Sequence, residues 1–137
     1  ALPIFSIHSR YARLSALCAA STAAMGAAAG MAWLLSKDYA IISGAIKNMI
    51  GDISGIICDG ASATCAMKVS STTESAVKSV LMAKQHWVAN QHDGIVHEDV
   101  EATIDALCRL AASAMQYTDR QIIQIMSDKT FQKTHSL

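Results

Sequence analysis

From Leu14 to Leu35 the chain carries no charge over 22 residues, LSALCAASTAAMGAAAGMAWLL, and most of them are Ala, Ser, Thr or Gly. Alanine leads the helix scale, so residues 11–35 are expected to form one long helix. Apolarity on every side places that helix inside the fold. A stretch of this length can also span a bilayer, and Gly26 and Gly30 form a GxxxG pair of the kind that packs membrane helices. Small side chains gain little from lipid, however, and the flanking segments are amphipathic in the manner of soluble helices. The expectation is a buried small-residue helix that neighbouring backbones approach closely, with no membrane span.

The segments around it read as helices too. Residues 36–50 place Ile42, Ala45, Ile46 and Met49 at helical spacing, and Gly51 is expected to end that helix. Residues 52–59 suggest a short helical piece stopped by Gly60, a residue suited to the left-handed conformation. Ser71-Thr72-Thr73-Glu74 fits a capping box opening a helix to about Val88, with Ala76, Val77, Val80, Ala83 and Trp87 inward. NQHDG at 90–94 reads as a loop. A helix from near His97 carries Glu98, Asp99 and Glu101 in its first turn, where the dipole favours negative charge. Its stripe is Val100, Ile104, Leu107, Ala111, Ala114 and Met115. Thr118-Asp119-Arg120-Gln121 is a second capping box, opening a short helix with Ile122, Ile123 and Met126 inward. No strand pattern and no repeat is evident. The fold class is all-α, a compact bundle of about six helices around the buried small-residue helix.

Residues 1–137 are expected to be a single domain, since 52% hydrophobic and 16% charged residues suffice for a sizeable core. Lys and Arg number 11, as do Asp and Glu, which removes the electrostatic reason to expect nucleic acid or an anionic membrane as partner. The chain opens inside an apolar run, ALPIF, without an initiator Met or a charged leader region, so a fragment of a longer protein is expected, not a signal peptide. Its four cysteines are too sparse for a disulfide framework. Free or metal-bound thiols in a reducing cytoplasm are the expectation.

Residues 51–70, GDISGIICDGASATCAMKVS, mix two cysteines, three glycines and two aspartates in a way no regular element favours. Cys58 and Cys65 flank the Gly60 turn and can converge, and Cys18 sits among side chains small enough to leave room for an inorganic group. On spacing alone, metal ligation and simple packing both remain open, because the CxxC of zinc ribbons and the ferredoxin runs are absent. Cys108 follows Ile104 by one helical turn and reads as a core residue. Gly51, Gly55 and Gly60 either let backbone approach a bound group or only end helices. Lys68 either offsets negative charge near Cys65 or faces solvent. Asp52 and Asp59 read as caps of local backbone, and His8, His86, His92, His97 and His135 as scattered surface residues.

Residues 13–30 (RLSALCAASTAAMGAAAG) and 48–71 (NMIGDISGIICDGASATCAMKVSS), continued by GIVHEDVEATIDALC and YTDRQIIQIM, resemble the serine dehydratase alpha-chain family. Within it the resemblance points to the single-chain iron–sulfur L-cysteine desulfidases. It implies a [4Fe–4S] cluster held by Cys18, Cys58 and Cys65 in a C-x39-C-x6-C spacing, with Cys108 outside the set. It also implies a lyase that eliminates sulfide and ammonia from L-cysteine to give pyruvate, with an open iron as Lewis acid and without pyridoxal phosphate. L-serine dehydratase is the alternative activity.

The resemblance covers a family's C-terminal, cluster-binding part. The proton-abstracting residue and substrate loops are expected in an N-terminal portion, the natural partner of this chain, so the catalytic residue is not named and no turnover is expected from this part alone. A small amino acid is the expected substrate, and a homodimer stays open. A non-catalytic helical interaction domain, in which all four cysteines only pack, is the competing reading.

Overall fold

A computed structural model describes residues 15–134, and among these the chain is all-α. The helices are α1 (Ala19–Ser36), α2 (Tyr39–Ile53), α3 (Thr64–Lys84), α4 (Val100–Arg109) and α5 (Met115–Thr134). A π turn at Leu110–Ala114 joins α4 to α5 without a break, so the described residues form four continuous rods.

Helices α1, α2 and α3 pack against one another, and α4 adds to α2. Ala24, Met25, Ala28 and Ala32 of α1 meet Ala45, Met49 and Ile50 of α2 and Ala76, Val80 and Ala83 of α3 in one core, closed by Ile104 and Leu107 of α4. Side chains this small let helix axes approach closely. Gly44 belongs to the same economy of space, because a Cβ there would lie 2.7 Å from Val88 Cγ2.

The small-residue helix is shorter and more one-sided than its composition suggests. It starts at Ala19 with Cys18 as its N-cap residue in extended conformation, so Cys18 stands at the helix end and not mid-helix. Residues 11–14 lie outside the described part. By length and composition α1 can cross a bilayer, yet it buries Ser21, Thr22, Met25 and Gly26 against its neighbours while Trp33, Leu34 and Leu35 stay exposed. It ends at Lys37, whose left-handed φ of 54° turns the chain, and the Asp38 carboxylate caps α2 by accepting the Ala40 N–H at 2.9 Å.

Other boundaries also differ from expectation. Helix α2 runs through Gly51 to Ile53, and residues 54–63 form a non-helical loop in place of a short helix. Helix α3 begins seven residues before Ser71. There the hydroxyls of Thr72 and Thr73 donate back to the Val69 carbonyl at 3.1 and 2.8 Å, inside the helix, instead of capping it. It stops at Lys84, and His86 takes a left-handed φ of 60°, which throws Trp87 out to solvent.

Asp99 caps α4 by accepting the Ala102 N–H at 2.9 Å. No helix starts at Thr118, because the π turn carries the rod past it. Ile123 and Met126, expected inward, are about half exposed on α5.

Candidate functional site

Two helices joined by a two-residue link return the chain to its starting end. Residues 15–18 therefore meet the loop after α2, and Leu17 pairs with Ile57 in an isolated antiparallel bridge. Cys18 N–H donates to the Ile56 carbonyl at 3.1 Å, and Cys58 N–H to the Ala16 carbonyl at 2.7 Å. Side chains alternate along such a pair, so Cys18 and Cys58 fall on one face as diagonal neighbours. Diagonal neighbours stand about 7–8 Å apart, beyond the Cα separation that a disulfide bridges. Cys18, Cys58 and Cys65 form no disulfide.

Cys65 enters from the first turn of α3, where its N–H donates to Ser62 O at 3.0 Å and its thiol to Gly60 O at 3.6 Å. Cys18 and Cys65 thus both stand at helix N-termini, whose unpaired N–H groups favour negative charge nearby. Gly60 has φ of +95°, a conformation glycine adopts without strain, and Met126 of α5 lies over it.

Lys68, one turn into α3, points inward with its side chain 20% exposed. Its ammonium donates to the Ile57 carbonyl at 3.0 Å and pairs with Asp59. The hydrogen bond to Asp59 raises the Lys68 pKa above the ordinary lysine value against the opposing effect of burial, and the charges of Asp59, Cys18 and Cys65 add to the rise. Both thiols therefore lie within electrostatic reach of this cation. Asp59 is held below the usual carboxylate range by the Lys68 hydrogen bond, a backbone hydrogen bond and the Lys68 charge, with a further contribution from Lys129 of α5.

Of the residues singled out in the sequence, Cys18, Cys58, Cys65, Gly60 and Lys68 come together. Gly51 turns its Cβ position toward Val96 and Ala89, and Gly55 faces open space. Cys108 is buried in the core on α4. Asp52 does not cap local backbone: its carboxylate reaches across to Ser75 and to Lys78, the latter at 2.7 Å. His86, His92 and His97 are exposed, while His8 and His135 lie outside the described residues. Met126 and the Asp59 partner of Lys68 carried no local signal, since each contact joins separate elements.

Among the described residues, no three His, Cys, Asp or Glu side chains close on a single-ion point. A cubane binds each thiolate through a different iron, so its ligands spread more widely than those of one ion. Three thiols, a cation and two helix N-termini at one end of the helical hairpin are a donor set whose chemistry suits a soft, anionic group of that kind.

Fold and thiols together define an all-α chain with three cysteines at one end of a helical hairpin. Residues 1–124 match the family described as serine dehydratase alpha chain, and the chain belongs to that family. It is 64% identical over 128 residues to a UPF0597 protein of Klebsiella pneumoniae, covering 93% of this chain and 30% of the relative. It is also 60% identical over 123 residues to the UPF0597 protein YhaM of Escherichia coli K12, covering 90% of this chain and 28% of the relative. The chain thus spans about 30% of the length of these relatives. No solved structure matches.

Proposed function

We propose that this chain is the cluster-binding part of an iron–sulfur lyase that removes sulfide and ammonia from L-cysteine to give pyruvate, with Cys18, Cys58 and Cys65 holding a [4Fe–4S] cluster. The observation that carries this reading is the Leu17–Ile57 bridge. It aligns two thiols of distant sequence on one face at a spacing that leaves room between them. When bound, the cluster supplies a Lewis acid for the leaving group. Lys68 then supplies positive charge beside the thiolates, and its bonds to Ile57 O and Asp59 hold the Cys58 loop against α3. Gly60 gives the loop the turn it needs. The proton-abstracting group and most substrate contacts come from the larger portion of the relatives that this chain does not span. A reducing cytoplasm is the proposed compartment, the setting in which thiolate ligands persist.

L-serine dehydratase is the second reading, favoured by the name of the matching family. The two substrates differ in the leaving atom, and a pyruvate assay with each amino acid on the full-length protein separates them.

Anaerobic reconstitution with iron and sulfide tests the ligand set. The expected result is broad visible absorbance with about four irons per chain, lost in Cys18→Ser, Cys58→Ser and Cys65→Ser and kept in Cys108→Ser. Equal behaviour of all four variants would remove the assignment and favour a helical interaction domain with packed cysteines.

A further inference from the structure

Ser15 stands outside the thiol set but touches both the bridge and the π turn. Its hydroxyl donates to the Ala111 carbonyl at 3.3 Å and accepts the Leu17 N–H at 3.2 Å. A π turn spaces its hydrogen bonds one residue wider than an α-helix, as the Met115 N–H on Leu110 O does here, and leaves carbonyls open to other donors. Side chains take three carbonyls in this region. The Ser113 hydroxyl binds Arg109 O at 2.6 Å, the Gln116 amide binds Ala112 O at 2.7 Å, and Ser15 binds Ala111 O. The first two donors are local, whereas Ser15 reaches across 96 residues of sequence. Ala111 is buried in the core, so its carbonyl is a fixed point for whatever binds it.

We propose that Ser15 is a positioning residue that pins residues 16–18 to the π turn and so sets the register in which Leu17 meets Ile57. Register matters because side chains alternate with period two. A slip of one residue turns Cys18 to the opposite face from Cys58. The pin is a property of the apo chain; its consequence for a cluster rests on the ligand reading above.

The test uses the 137-residue chain, as wild type, Ser15→Ala and Ser15→Thr, with amide hydrogen exchange read at Cys18 and Cys58, whose N–H groups close the bridge. Ser15→Ala is expected to speed exchange at both amides roughly tenfold, the scale of one hydrogen bond. The amides of Met49 and Val80 are expected to keep their wild-type rates, and Ser15→Thr, which keeps the hydroxyl, to match wild type. Unchanged exchange in Ser15→Ala, or an equal rise at Met49 and Val80, would overturn the pin. Iron uptake on the same proteins separates the two readings. A wild type that takes up no iron, while Ser15→Ala still speeds both bridge amides, removes the ligand assignment and leaves the pin. Uptake by wild type with bridge exchange unchanged in Ser15→Ala removes the pin and leaves the ligands.

Discussion

At Gly60 one added carbon meets two separate obstacles. The backbone φ of +95° strains any L side chain, and a Cβ would lie 3.0 Å from Met126 Cε and 3.5 Å from its sulfur. Gly60→Ala is expected to cost about 1–3 kcal/mol, read as a lowered urea midpoint. A double-mutant cycle with Met126→Ala divides that cost. Removing the flexible thioether relieves the contact but not the dihedral, so most of the loss should remain in the double variant. Full recovery would mean that crowding alone is at work. The turn itself was legible in the sequence, because an aspartate-glycine step between two cysteines suits a left-handed residue. Its roof was not, since Met126 belongs to a helix whose docking no local pattern encodes.

At the scale of elements, Asn48 is the tie between α2 and the segment that leaves α3. Its amide nitrogen donates to Ser79 O at 3.3 Å and Trp87 O at 3.0 Å, while its oxygen accepts the Ala89 N–H at 2.7 Å. Asn48→Ala strands these groups in a buried setting and should cost about 1–3 kcal/mol, with faster exchange at the Ala89 amide. A stability loss with Ala89 still protected would place the damage elsewhere. The helix faces of α2 and α4 were readable because their apolar periods are strong. The ends were harder. Residues 15–18 include the helix formers Ala16 and Leu17 and nonetheless stay outside the helix, because the pairing of 16–18 with 56–58 outweighs a weak local preference. The two capping-box motifs failed for a related reason. In the first, the Thr72 and Thr73 hydroxyls satisfy the Val69 carbonyl within a helix already under way, and in the second the π turn carries the helix past Thr118, so the neighbouring structure decides both.

Across the whole molecule, acid stability should register the clamp between α2 and α3. Burial raises the Asp52 pKa, but hydrogen bonds from Lys78 and Ser75 and the Lys78 charge outweigh it, leaving the carboxyl below its ordinary value. A depressed folded value means that the stabilisation is present above the unfolded pKa of about 3.9 and is lost as pH falls through the lower folded value. Urea midpoints taken from pH 6 downward should therefore fall less steeply below about pH 4 in Asp52→Asn than in wild type. The effect is modest, because the carboxylate is 37% exposed and solvent screens the pair. An identical slope in both proteins would show that the clamp adds nothing to folding.

The Leu17–Ile57 bridge joins positions some forty residues apart, with a complete helical hairpin between them. Closing so long a loop is entropically costly until α1 and α2 have packed. The order of assembly follows from that topology. During synthesis the hairpin must form before the first two thiols become neighbours, and the third arrives only when α3 docks. Small zinc modules use their metal to nucleate folding. Under the ligand assignment proposed above, this chain works in the opposite sense: the packed hairpin aligns Cys18 with Cys58, and an inorganic guest is a late addition to a folded helical body.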